Sequence, residues 1–329
     1  MIDDRLFQHY RIDTHKDLGI ATVCRRPFDT VLIDKRGSCF ACECTAWLPQ
    51  SIGNLQLQSL SDILDSDRRA QVQGTVQDGT YRLCNSEQCP YIKGSRIKPK
   101  VDHVVRHLRL AIDDSCNLRC PSCRDGMVFH KQGAAYRLGV RLADRVNHWL
   151  RAQSHDLRVH IGSDGDPFAS HVYGHFMEHT PHRDNIRYSI LTNGLMFTDA
   201  MHRVPHVMRS LSVLGVSIDG ASQDTYERLR LGGRWHKIQE QMRAMAEHRA
   251  RGTHEFNLHM VVQQDNWHEM ERMVEWASEL GADYVYLNRI QDWSTSLDHT
   301  QQTFTQLPEY QRAIQRVRAL PNVVSDNLL

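Results

Sequence analysis

The alternation of apolar and polar positions changes texture near residue 100. Beyond it, short apolar runs recur between longer stretches whose apolar residues fall three and four apart, the pattern of strands alternating with amphipathic helices. The spacing predicts strands over Val104–Ile112, Leu157–Ile161, Ile186–Leu191, Ser212–Ile218, Phe256–Val262 and Tyr284–Asn288. Helices are predicted over Leu138–Leu150, Gln223–Leu229, Lys237–Arg249 and His268–Leu280, with a last amphipathic helix over Pro308–Leu320. Six such alternations argue for parallel strands joined by crossover helices. A closed eight-stranded barrel needs more chain, so the expected fold is α/β, a partial (β/α)6 TIM-like barrel.

The front of the chain reads differently. Residues 1–20 form a polar lead-in, and from Cys24 to about Gly94 the pattern is short and turn-rich. Val31–Ser38 (VLIDKRGS) reads as a strand entering a turn. A helix is expected over Leu60–Gln73, with Ser59 and Asp62 near its start, where such residues favour capping. This segment has few long apolar faces, so a bound metal cluster is the natural staple. SRIKPK (Ser95–Lys100) is a polar, proline-containing linker. The expected division is a small cysteine-rich module over 1–100 and a barrel with its C-terminal helix over 101–329.

Composition narrows the function classes. Apolar residues at 40% and charged residues at 24% are ordinary for a globular protein. Forty Lys and Arg nearly cancel 39 Asp and Glu, which leaves no electrostatic footprint for nucleic acid or an anionic membrane. The start, MIDDRLFQHY, lacks the apolar region of a secretory signal, and no apolar run approaches a membrane span. A cytoplasmic protein without nucleic-acid or membrane partners is expected.

Nine cysteines, at 24, 39, 42, 44, 84, 89, 116, 120 and 123, then carry the chemistry. In a reducing compartment clustered cysteines are more often metal ligands than disulfides. The run LRLAIDDSCNLRCPSCRDG places Cys116, Cys120 and Cys123 directly after the first predicted barrel strand. A loop there can wrap three thiolates around one small cluster, leaving one iron of a four-iron cluster open to a cofactor. Four-cysteine sites are the electron-transfer arrangement. Zinc usually takes four nitrogen or sulfur ligands, and the triplet has no nearby fourth.

On these residues the chain resembles the radical SAM superfamily, whose signature is this cysteine spacing after the first barrel strand. The resemblance implies a [4Fe-4S] cluster whose open iron is chelated by the amino and carboxylate groups of S-adenosylmethionine (SAM). It implies reductive cleavage of SAM to a 5′-deoxyadenosyl radical that abstracts a substrate hydrogen. An electron donor such as flavodoxin or ferredoxin goes with that chemistry. Ser122 departs from the family, which usually has an aromatic residue before the last cysteine.

Later segments resemble the family in order. IGSDGDPF follows the second strand, where the family has a Gly-rich turn that hydrogen-bonds the SAM amino group; Gly165, Asp166 and Pro167 match its end, with Asp166 in place of the usual Glu. LTNG, with Asn193, ends the third strand. VSIDG, with Ser217 and Asp219, ends the fourth and matches positions near the SAM ribose and carboxylate. Arg230 is the implied partner of the carboxylate, since Arg binds carboxylates bidentately. Each short motif alone also reads as a turn after a strand; their order at successive strand ends, where barrel chemistry sits, raises them.

The six earlier cysteines resemble SPASM or twitch modules, which hold auxiliary iron–sulfur clusters and normally follow the barrel; here the order is permuted. The resemblance makes Cys24, Cys42, Cys84 and Cys89 the ligands of a second [4Fe-4S] cluster, with Cys44 an alternative to Cys42. Zinc, or a disulfide, is the competing reading. Two thiols remain, nominally Cys39 and Cys44. One could return a hydrogen atom to a substrate radical, as in some radical SAM epimerases, or both could be packed thiols. His171, His175 and His179 would line one helix face, as a metal site or as a solvated face. Trp235, Trp267, Trp276 and Trp293 read as packing or rim aromatics, and Asp292–Trp293 follow the sixth strand toward a substrate cavity.

The leading expectation is an enzyme that epimerises, oxidises or cross-links a small-molecule, sugar-like or peptide substrate. The alternative is a non-catalytic zinc or iron–sulfur interaction protein.

Overall fold

The computed structural model of the chain describes residues 24–89, 92, 104–252, 254–292, 295, 297–298, 301–325 and 328. The lead-in, the linker and Trp293 lie outside the described residues. Two compact units result. One comprises the chain to Asp113 with Gln132–Ser163 and His179–Arg187; the other comprises Asp114–Lys131, Asp164–Glu178 and the chain from Tyr188 on.

In the first unit, α1 (Arg26–Asp29) leads into β1 (Thr30–Asp34), β2 (Ser38–Phe40) and β3 (Ser51–Asn54). Then come α2 (Leu60–Leu64), α3 (Asp67–Gln77), β4 (His107–Ala111), α4 (Gly133–Arg151) and β5 (Leu157–Ile161). The strand order is β5-β4-β1-β2-β3. β1 and β4 pair in parallel, as do β4 and β5, whereas β1, β2 and β3 pair antiparallel. The turn between β1 and β2 is held by Asp34, whose carboxylate accepts the Arg36 and Ser38 N–H groups at 2.9 and 2.7 Å. Gly37 supplies the left-handed residue there (φ 79°).

The single helix expected over Leu60–Gln73 is two helices. Ser59 caps the first with a full capping box to Asp62. Ser66 then caps a second, its hydroxyl accepting the Arg69 N–H at 3.3 Å. A serine that captures the backbone in this way ends one helix and starts another. α4 begins five residues ahead of expectation, because residues 133–137 face solvent and carry no apolar period. The core is formed by Phe28, Val31, Ile33, Leu108, Leu110 and Val146, all wholly buried.

The second unit contains most of β6 (Ile186–Thr192) and α5 (His171–His179), then α6 (Phe197–Arg203), α7 (Pro205–Arg209), β7 (Leu211–Ser217) and α8 (Gln223–Leu229). There follow α9 (Trp235–Arg251), β8 (Glu255–Val262), α10 (Met270–Glu279), β9 (Tyr284–Arg289), α11 (Pro308–Arg318) and β10 (Val323–Val324). Its sheet runs β6-β7-β8-β9-β10, with parallel pairing at each step. The apolar face (Leu214, Val216, Leu258, Met260, Val285 and Leu287) is at most 2% exposed. Ser217, His259 and Tyr286 lie on the other, half-buried face. There the His259 ring stacks flat on Tyr286 with centroids 4.6 Å apart. Gly215 makes the room, since a Cβ there would sit 2.8 Å from His259 Nε2.

The helix expected from His268 opens as a 3-10 turn at Trp267–Glu269. The Glu269 carboxylate accepts the Ala221 N–H at 2.6 Å and the Thr225 hydroxyl at 2.7 Å, tying down the start of α8, which Ser222 caps. His171, His175 and His179 do share a helix, exposed or half-buried, and belong to no metal-binding grouping among the described residues. Trp235 packs against Trp276 (5.2 Å between centroids) and Tyr226 (5.6 Å). Among the described residues no helix is long and apolar enough to cross a membrane.

Two stability outcomes follow from this packing. Arg69 is 7% exposed and donates to the carbonyls of Pro27, Phe28 and Leu64. Arg69→Ala strands buried acceptors and should destabilise the first unit by about 2–3 kcal/mol, read as a lower urea midpoint of the cluster-loaded protein. His254 lies buried beside His248 (3.4 Å between ring nitrogens). Its imidazole is pushed down to about 4, first by burial and then by His248 and Arg249. A depressed folded value means the unfolded chain takes up the proton first. The stability it contributes is therefore complete above about pH 6.5 and lost as pH falls toward 4. Thermal midpoints between pH 7 and 5 should fall less in His254→Leu than in the parent.

Candidate functional site

The triplet loop lies in the second unit. Its entry is tied by the Cys116 N–H donating to the Val128 carbonyl at 2.8 Å. The N–H groups of Cys123 and Arg124 both reach the Cys120 carbonyl, at 3.0 and 3.1 Å, which makes one tight turn between two of the thiols. Arg119 N–H donates to the Leu231 carbonyl at 3.1 Å, anchoring the loop to the segment after α8. Cys116 and Cys120 are 8% and 6% exposed, and Cys123 is exposed. Burial pushes both buried thiols up, Cys120 to about 11, with Arg230 pulling that one back down.

Each sulfur is approached by a side-chain nitrogen. Asn193 Nδ2 lies 3.7 Å from Cys116 Sγ, Arg230 NH1 3.7 Å from Cys120 Sγ and Arg124 NH2 3.7 Å from Cys123 Sγ. The Leu118 N–H adds a backbone donor to Cys116 at 3.4 Å. Three thiols within electrostatic reach of one another, each met by an N–H donor, suit sulfur that must carry negative charge. The donor set fits an iron–sulfur cluster with three protein ligands.

The strand-end motifs converge on this loop. Gly165 has φ 70°, and a Cβ on it would sit 2.5 Å from the Ser115 carbonyl oxygen, so only glycine lets the turn meet the loop. The next N–H, of Asp166, donates to that same carbonyl at 2.8 Å. Asn193 reaches from the end of β6 to Asn117 Oδ1 at 2.7 Å, gripping the loop between its first two cysteines. Ser217 ends β7, half-buried, in register with His259 on β8.

Two expected ligand contacts are not built as the motifs suggest. Asp166 is 1% exposed, and its carboxylate accepts four protein donors: Phe168 N–H (3.1 Å), Ala169 N–H (3.0 Å), the Thr192 hydroxyl (2.7 Å) and Asn193 N–H (2.7 Å). With its lone pairs engaged it holds the turn to the end of β6 and has none to offer a SAM amino group. Arg230, expected to clamp the SAM carboxylate, has its fork divided, with NH2 paired to Asp219 Oδ2 at 2.9 Å and NH1 directed at Cys120. Asp219 itself takes a left-handed conformation (φ 58°), accepts the Val261 N–H at 2.7 Å, and is held through its carbonyl by Asn266 Nδ2 at 2.8 Å.

In the first unit, Cys24, Cys42, Cys84 and Cys89 line one small cavity together with Tyr81 and Ile92. Cys24, Cys42 and Cys84 are each pushed up chiefly by burial, Cys24 to about 11 and Cys42 to about 12, and neighbouring thiols, Cys89 among them, add to the rise in each. Tyr81, itself left-handed at φ 49°, receives the Cys24 N–H on its hydroxyl (3.2 Å) and the Cys84 N–H on its carbonyl (2.8 Å). Four sulfurs on one cavity fit a fully ligated cluster. The structure thus separates Cys42 from Cys44, which is half-buried outside that cavity and within electrostatic reach of Arg109. Cys39 is wholly buried in β2 with its thiol 3.7 Å from the Gly37 carbonyl and pushed up to about 12 by burial. A thiol with no surface cannot meet a substrate, so the hydrogen-donor role expected of Cys39 gives way to packing.

Sequence reasoning passed over Asn117, Arg124, Tyr81, Asn266 and Glu269. Arg124 had a signal, a cation next to the last cysteine of the triplet. Asn117 and Glu269 act through contacts distant in sequence, Tyr81 and Asn266 through near and distant ones together, and none carries a local pattern.

Comparison with known proteins identifies two family profiles in the chain. The profile of the Radical SAM superfamily matches residues 112–277, and that of the SPASM iron–sulfur cluster-binding domain matches residues 24–90. No curated protein matches the chain. Similar solved structures include Streptococcus suis SuiB bound to precursor peptide SuiA, with 13% identity, TM-score 0.47, and 67% of this chain and 48% of that one covered. Another is anSMEcpe with bound AdoMet and Cp18Cys peptide, with 16% identity, TM-score 0.44, and coverage of 65% and 58%. A third is TYW1 with a lysine-pyruvate adduct, with 11% identity, TM-score 0.41, and coverage of 65% and 71%. The chain spans 44% of the length of SuiB bound to S-adenosylmethionine, another of these structures. With its α/β partial (β/α)6 barrel, a SAM-binding [4Fe-4S] site and a cysteine-rich SPASM module ahead of the barrel, the chain belongs to the radical SAM superfamily.

Proposed function

We propose that the protein reductively cleaves SAM and abstracts hydrogen from a sugar-like natural product or a peptide, with epimerisation, oxidation or cross-linking as the outcome. The observation that carries this reading is the triplet of thiols, each met by a nitrogen donor and none paired with a fourth cysteine. When bound, the cluster and SAM supply a 5′-deoxyadenosyl radical from one delivered electron. Cys116, Cys120 and Cys123 hold the three ligated irons. Gly165 and Asn193 set the loop's position, Asp166 braces the turn beneath it, and Ser217, with Asp219 just beyond the end of β7 holding Arg230, would border the SAM ribose and carboxylate. Cys24, Cys42, Cys84 and Cys89 hold the auxiliary cluster. The matched segments support a division into a module over 1–100 and a barrel over 101–329.

Of the two spare thiols, Cys44 is the one with surface, which supports hydrogen return and a redox-neutral epimerisation. The auxiliary cluster supports the other outcome, a net oxidation in which it accepts the product electron. The half-buried polar face with Ser217, His259 and Tyr286 suits an uncharged, hydrogen-bonding substrate. Flavodoxin or ferredoxin is the proposed electron source, and the cytoplasm, where clustered thiols stay reduced, the proposed compartment.

Anaerobically reconstituted protein given reductant and SAM should form 5′-deoxyadenosine; none from a fully loaded, reduced enzyme with candidate substrates present would overturn the reading. Cys116→Ala should lose about half the iron, about four per chain, and all SAM cleavage, while Cys42→Ala removes the other half and Cys44→Ala removes none. Iron and sulfide analysis separates these outcomes.

A further inference from the structure

A four-iron cluster that passes one electron must become more negative by one charge, and that charge spreads onto its thiolate sulfurs. Cations and N–H donors directed at those sulfurs stabilise the reduced form more than the oxidised one and so raise the reduction potential. In this chain each of the three sulfurs has one such side chain, and the three come from different places: Asn193 from the end of β6, Arg230 from the end of α8, Arg124 from the loop itself.

Their strengths differ in a definite order. Arg230 is 9% exposed and Cys120 6%, so their charges interact with little screening by water. Asp219 fixes the guanidinium through NH2, at 2.9 Å, leaving NH1 to the sulfur, and Arg230 Nε is buried without a hydrogen-bond partner. A buried donor left unpaired is costly, and the position is kept because Asp219 is itself locked by Val261 and Asn266. Arg124 is held by the Asp114 carbonyl at 2.7 Å but acts on the exposed Cys123, where solvent screens it. Asn193 is neutral, and its Nδ2 is shared with Asn117.

We propose that Asn193, Arg230 and Arg124 form a donor shell, one per sulfur, that raises the reduction potential of the cluster held by Cys116, Cys120 and Cys123, with Arg230 dominant and Asp219 its positioning residue. This rests on the ligand assignment above. It gives Arg230 a role that its divided fork serves better than clamping a carboxylate.

The test is an EPR-monitored redox titration of the reconstituted full chain without SAM, the barrel cluster being the signal absent from Cys116→Ala. Arg230→Gln should lower the midpoint so that the reduced fraction at fixed potential falls about tenfold, ~59 mV for one electron. Arg124→Gln should move it the same way by less, and Arg230→Lys should retain most of the parent value. An unchanged midpoint in iron-replete Arg230→Gln would overturn the proposal, and if that variant also loses SAM binding, Arg230 is a carboxylate ligand instead. Should Arg230→Gln fail to load iron, the decision falls to Arg124→Gln and Arg230→Lys, where a rise or no shift in Arg124→Gln overturns it. If Cys116→Ala still shows every cluster signal, the ligand assignment itself is what has failed.

Discussion

Buried sulfur that has to carry charge is the constraint around which this protein is arranged. Burial is the largest cause that raises the thiols of Cys24, Cys42 and Cys120 to about 11 or 12, so without metal they are neutral at physiological pH. Cluster binding replaces those protons with iron, and its free energy becomes folding free energy for the segments that present the sulfurs. The short strands and helices of the front module, with few apolar faces of their own, are the kind of structure that such a contribution stabilises.

The two sets of sulfurs meet this constraint differently. In the front module four thiols line one cavity with Tyr81 and Ile92, and two cations, Arg26 and Arg109, lie within electrostatic reach of sulfurs there. The triplet has three thiols and brings a nitrogen to each. The contrast matches a closed site with four protein ligands and an open one with three, in which protein donors carry part of the electrostatic load.

Asp166 and Asp219 show how a barrel delivers such donors. Both sit just beyond strand ends, both are buried, and neither faces the loop as a free carboxylate. Asp166 spends its lone pairs on backbone and hydroxyl donors that bind the turn to β6, while Asp219 spends its own on Val261 and Arg230. In each case the acid fixes a neighbouring residue, Asn193 or Arg230, and that neighbour reaches the sulfur. A motif residue here is therefore two bonds removed from the chemistry its position suggests.

The sequence by itself determined the six strands, most of their helices, the cysteine triplet and the presence of a second, cysteine-rich module ahead of them. These are written in local period and spacing, which the backbone obeys wherever it goes. It did not determine the break at Ser66, because a cap and a helix interior look alike until the chain is seen to turn. Nor could it choose between Cys42 and Cys44, two residues apart and chemically identical; only the side that each presents to Cys24, Cys84 and Cys89 decides it. Arg230 is the sharpest case. Its presence after VSIDG was legible, but its commitment to Asp219 and Cys120 depends on contacts 11 and 110 residues away, and side-chain geometry at that range exists only once the fold has closed.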